Sequence, residues 1–110
     1  MSDRVVVIIH LTVAGYGDEF DAGIAAVHAA YRRVSWVTDR IEGLLRTELL
    51  TDSADSGDLL LVSEWTDLDA FHAWREGPDH AGGARNSALK PFQDRSRARH
   101  FVVYRSIEAH

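Results

Sequence analysis

From residue 4 to residue 13 the chain reads RVVVIIHLTV, an almost unbroken apolar run rich in β-branched residues, which predicts a strand. The period then lengthens. After a turn-like AGYG, the residues Phe20, Ile24, Val27, Tyr31 and Val34 recur at spacings of three and four, the mark of one buried helical stripe. Asp18 is placed to cap this helix from about Glu19, with Asp21 in its first turn, and the helix is expected to end before Gly43. Two strands follow, at residues 44–51 and 59–65, joined by the turn-rich DSADSGD. Thr66 is expected to cap a second helix, and Asp69 three residues on makes an approximate capping box. Leu68, Phe71 and Trp74 then form the inner face, and Gly77 with Pro78 stops the helix. Residues 79–93 are only weakly helical, interrupted by Gly82, Gly83 and Pro91, and residues 99–107 read as the last strand.

The predicted order is β-α-β-β-α-β, a ferredoxin-like α+β sandwich with its helices on one face of the sheet. In such a fold, strands should alternate apolar and polar residues, because only one face is covered. Here Val5, Val7, Ile9 and Leu11 are apolar, but so are Val6 and Ile8 between them, and Leu60 and Val62 repeat the pattern opposite Leu59 and Leu61. Nothing else in the chain can cover that second face. A second copy is the natural cover, so a homodimer through the sheet face is expected.

Composition narrows the function. The 110 residues suit a single domain over 1–110, and they carry a formal charge of −5 with scattered arginines and one lysine, Lys90. That balance argues against nucleic acid and against an anionic membrane surface. The N-terminal run is too short to span a bilayer and has no cleavage site, so a cytoplasmic protein is expected. Without cysteine there is no disulfide, thiolate metal site or thiol nucleophile. No two of the six histidines have a ligand spacing, so no metal is expected. No phosphate loop, dinucleotide fingerprint or serine elbow is present, and no cofactor is expected.

The segment LLLVSEWTDLDAFHAW, with the strand order and the two-faced sheet, resembles the antibiotic biosynthesis monooxygenase (ABM) domain of the dimeric α+β barrel superfamily. The likeness runs over residues 5–104. Its most specific element is a strand-ending tryptophan followed by A-F-x-x-W, matched by Trp65, Ala70, Phe71 and Trp74, and Gly43 fits the glycine that opens the second strand. In the heme-degrading branch an asparagine on the first strand and a histidine after the second tryptophan complete the site. Those places hold Ile9 and Ala84, so heme degradation is disfavoured. In the cofactor-free monooxygenases of aromatic polyketide tailoring, Trp65 and Arg85 match, while Leu61 stands for an asparagine and Phe71 for a tyrosine.

Two readings of Trp65 and Trp74 follow. They are core packing, or they wall a pocket for a planar aromatic or polyketide-type substrate together with Ile9, Tyr31, Leu61 and Phe71. For catalysis, His28 on the first helix and His80 in the irregular segment are the candidate bases, since a pKa near neutrality suits proton removal from a phenol or enol. Arg85 is either solvated or holds the anion's oxygen. His10 shares a strand face with Val6 and Ile8 and is assigned to the interface, and His72 to the solvated side of its helix. The resemblance implies that the substrate anion reacts directly with dioxygen. A cyclase or isomerase using the same base is the competing reading, and a non-catalytic dimeric binding protein, its cavity filled by side chains, is the third.

Overall fold

The computed structural model describes residues 3–55, 57–77, 88–99 and 101–110. Four strands form one antiparallel sheet: β1 (Val5–Thr12), β2 (Leu44–Thr51), β3 (Asp58–Trp65) and β4 (Phe101–Arg105), in the order β2-β3-β1-β4. The helices are α1 (Phe20–Tyr31), a short α2 (Ser35–Thr38) and α3 (Leu68–Glu76). This is the ferredoxin-like α+β architecture read from the periodicity, with β3 between β1 and β2. Among the described residues no helix is long and apolar enough to cross a membrane.

Alternation sorts the sheet into two faces. Val5, Val7 and Leu11 are each 1% exposed and lie in the core with Leu59, Leu61 and Trp65. Across the ladder, Ile8 pairs with Val62 and Val102, His10 with Leu60, and Val6 with Glu64 and Tyr104. On that opposite face Val6, Ile8, Leu60 and Val102 are half-buried, and Tyr104 is 54% exposed. One rim carries an ion-pair chain. Arg4 Nη1 lies 3.1 Å from Glu64 Oε2, Arg46 Nε 2.9 Å from Glu64 Oε1, and Arg46 Nη1 2.8 Å from Glu48 Oε1.

Several local expectations need correction. Asp18 does not cap α1. Glu19 occupies the N-cap with no side-chain hydrogen bond. Phe20 is 42% exposed rather than part of the buried stripe, because its ring turns toward the β2–β3 hairpin loop, where a Cβ on Gly57 would meet Phe20 Cε1 at 3.1 Å. The cap of α3 is Asp67, not Thr66. Asp67 Oδ1 accepts from the Ala70 backbone N–H at 2.7 Å, while the Thr66 backbone N–H donates to Gly43 O at 2.8 Å. The last strand is shorter than 99–107, and Ile107 is 84% exposed.

The hairpin loop behaves as its composition implies. Asp52 Oδ1 accepts from Ala54 N and Asp55 Oδ1 from Gly57 N, side-chain mimics of a backbone turn. Gly43 is required by two facts. Its φ is 82°, and a Cβ there would lie 2.5 Å from Ala70 Cβ. This close approach fixes the start of β2 against α3.

The first helix also stops sooner than the stripe suggested. Val34 and Trp36 are 6% and 7% exposed, both in the core. Residues two apart in one straight helix point about 200° apart, so both cannot face the same core. The chain resolves this by ending α1 at Tyr31 and restarting as α2, with Val34 N bonded to Tyr31 O and Val37 N to Val34 O. That break carries Trp36 inward.

Candidate functional site

Four aromatic rings meet between the sheet and the helices. Trp65 comes from the end of β3, Phe71 and Trp74 from successive turns of α3, and Trp36 from α2. Ring centroids are 5.8 Å apart for Trp65–Trp74, 5.5 Å for Trp65–Phe71, 4.9 Å for Trp36–Trp74 and 5.9 Å for Trp36–Trp65. Such tilted and edge-on pairs are the favoured arrangements of aromatic quadrupoles. The two tryptophans of the sequence motif therefore do meet, as the strand alternation required.

Their surroundings differ. Trp65 is fully buried, and its Nε1 donates to Ser63 Oγ at 2.9 Å, which satisfies both buried polar groups. Trp74 is only half-buried. It lines a cavity of about 70 Å³ whose other walls are Ile9, Val34, Trp36, Leu61, Leu89 and Gln93. Ile9, Leu61 and Trp74 are thus brought together in one wall. Trp65 and Phe71 pack behind it. Tyr31 does not line this cavity, and its hydroxyl is 2.7 Å from Thr47 Oγ1 on β2.

Gln93 and Leu89 reach the cavity through a local tether. The short 3-10 turn Lys90–Phe92 follows Leu89, and Gln93 then forms an isolated bridge to Leu11 while Asp94 N donates to His10 O at 3.0 Å. Beyond the cavity two open clefts flank residues 39–43. One, of about 620 Å³, includes Trp36, Ile41 and Arg46, and the other, of about 600 Å³, includes Thr66, Ala70 and Trp74. Trp36 and Trp74 therefore each line both the cavity and one cleft.

Of the candidate catalytic residues, His28 is exposed near the C-terminal end of α1 and does not line the cavity. His80 and Arg85, like Ala84, lie outside the described residues. His72 is exposed, as its place on α3 implied. His10 lies on the outer sheet face, and its pKa is lowered, first by burial and then by Arg97, against the opposing pull of Asp94 and Asp58. Among the described residues no three His, Asp or Glu side chains converge as metal ligands would. A heme does not fit this cavity, which is far smaller than a porphyrin and has no histidine in its described lining. Sequence reasoning missed Trp36 and Gln93. The former lies past a helix break and the latter in a segment without periodicity.

The antibiotic biosynthesis monooxygenase family model matches residues 5–86. The chain belongs to that family. Solved structures carry the same fold. SnoaB, a cofactor-independent oxygenase from Streptomyces nogalater, is 21% identical in a mutant form, with 98% of this chain and 97% of that one covered and a TM-score of 0.61. A Deinococcus radiodurans protein described as of the antibiotic biosynthesis monooxygenase type is 21% identical over 96% and 95% of the chains, with a TM-score of 0.60. The heme-degrader MhuD of Mycobacterium tuberculosis, solved with two hemes in its active site, is 21% identical over 97% and 98%, with a TM-score of 0.58. At these identities the likeness is one of fold. No curated protein sequence matches the chain.

Proposed function

We propose that this ABM-family chain is a cytoplasmic, homodimeric, cofactor-independent oxygenase acting on an aromatic or polyketide-type small molecule. The observation that carries the reading is the family match, joined to an aromatic cavity between sheet and helices whose described lining residues are apolar or aromatic apart from Gln93. The fold likeness to SnoaB, described as a cofactor-independent oxygenase, supports the same class. A base, His80 in preference to the exposed His28, removes a phenolic or enolic proton. The electron-rich anion then reacts with dioxygen, a ring methylene becomes a carbonyl, and water leaves. All the electrons come from the substrate, so no external reductant is needed. Trp74, Ile9 and Leu61 exclude water from the reacting edge, and Arg85 holds the anion's oxygen.

Dimerisation is the second part of the proposal. The apolar outer face of Val6, Ile8, Leu60, Val62 and Val102, with exposed Tyr104 beside it, supports sheet-to-sheet packing of two copies.

One observation favours the non-catalytic reading instead. At about 70 Å³, the cavity falls well below the roughly 300–1,000 Å³ of ordinary small-molecule pockets. An oxygen electrode with naphthols and anthrones as substrates separates the readings. Oxygen consumption with formation of a quinone supports the oxygenase, and an isomeric product of unchanged mass supports a cyclase or isomerase. Binding with neither outcome leaves only the binding protein.

A further inference from the structure

The tryptophans of the aromatic cluster differ in hydrogen bonding. Trp65 has an acceptor in Ser63 Oγ. Trp36 is 7% exposed, and its Nε1 is shielded from solvent with no acceptor among the described residues. An indole N–H is a donor only, and burying it unanswered is unfavourable. A side chain present only to fill this space would be better as phenylalanine. The ring that carries this N–H lines the cavity shared with Ile9, Leu61, Trp74 and Gln93.

We propose that Trp36 is a ligand-binding residue whose Nε1–H donates to the oxygen of a bound phenol or enol. This deepens the functional reading above and rests on it for the class of ligand. The chemistry is specific. An apolar cavity disfavours the phenolate through desolvation, whereas a fixed donor aimed at the oxygen favours it. Gln93, tethered by its bridge to Leu11, brings a second polar group to the same cavity. About 70 Å³ takes the oxygen-bearing edge of an aromatic ring and not a whole polycycle, so a single-ring probe is required.

The probe is 4-nitrophenol, whose anion is read by absorbance, with 4-nitroanisole as the analogue that lacks the acidic proton. In wild type the pKa of bound 4-nitrophenol should lie about one unit below that in Trp36→Phe, and the variant should bind the anion about tenfold more weakly. Binding of 4-nitroanisole should change little. The Trp36 indole proton resonance of wild type should move downfield on adding 4-nitrophenol, and this measurement decides the matter if the variant does not fold. Equal bound pKa values with an unmoved resonance overturn the role of Trp36 alone. An equal loss of 4-nitroanisole binding also overturns it, reducing Trp36 to packing. If wild type binds neither probe, both this inference and the aromatic-ligand reading fall. Absence of oxygen uptake would leave the bound pKa result standing.

Discussion

Trp65→Phe tests whether the two motif tryptophans have separate duties. Trp65 is fully buried, so the smaller ring leaves a void that should cost about 1–2 kcal/mol, well short of the roughly 3–5 kcal/mol typical of truncation to alanine. It also strands the Ser63 hydroxyl, itself 0% exposed, for a further ~1–3 kcal/mol. The expected total is about 2–5 kcal/mol. Ser63→Ala strands the indole N–H instead and should cost about 1–3 kcal/mol. In the double variant both partners of the bond are gone, so its cost should fall short of the sum of the singles by at least about 1 kcal/mol. Urea unfolding followed by far-UV circular dichroism, at one protein concentration because a dimer's stability depends on it, measures all three. Ligand binding supplies the other half. Trp74 lines the cavity and Trp65 does not, so Trp74→Phe should weaken binding of a planar aromatic ligand while Trp65→Phe leaves it nearly unchanged. A Trp65→Phe cost below about 1 kcal/mol, or strictly additive singles, would refute the buried pair. Equal losses of binding would refute the division of labour.

Three further predictions concern other parts of the molecule. Ile8→Asp on the bare sheet face, and Tyr104→Glu at its exposed edge where folding of the single chain is not at risk, should each shift sedimentation equilibrium from dimer toward monomer; a monomeric wild type at micromolar concentration would sink the dimer. His10 titrates below its ordinary value of 6.5 in the folded state, chiefly through burial, so the unfolded chain takes up the proton first and stability should fall as pH drops below that value. His10→Gln should flatten the loss of melting temperature between about pH 7.5 and about pH 5, and parallel wild-type and variant profiles would contradict this. Gly43→Ala must hold a left-handed φ and place its Cβ against Ala70, and should cost about 2–4 kcal/mol in urea unfolding; a loss below about 1 kcal/mol would show that the loop yields.

The strands were legible because β-branched residues and alternation act locally, and β2 spans the residues read from the sequence. The two-faced sheet was legible for the same reason, since alternation assigns Val5 and Val6 to opposite sides whatever covers them. Capping was not. Thr66 and Asp67 are both good cap residues one position apart, and Thr66 is displaced because its N–H is engaged by Gly43 O, a contact between segments distant in sequence. Phe20 fits the helical stripe by spacing, yet the hairpin loop draws its ring away. Periodicity describes an element in isolation, and these residues answer to neighbours that periodicity does not see.

The site shows the same limit more sharply. A period says which way Trp65 and Trp74 point, but not whether any space is left between the elements they join. That depends on where a helix breaks. Had α1 run on past Tyr31, Val34 and Trp36 could not both have turned inward, and the cavity would lack the second of its two lining tryptophans. The break is set by two large apolar residues at an incompatible spacing, both of which gain more from burial than the helix gains from another turn. Frustration of the helical period at residues 34–36 was therefore present in the sequence, in the pair Val34 and Trp36, as a mark of where the chain departs from regular structure. The residue so displaced also has a buried donor with no partner among the described residues. Irregular backbone and unanswered polar groups thus coincide at the cavity, as expected where a sequence has been shaped for something besides packing.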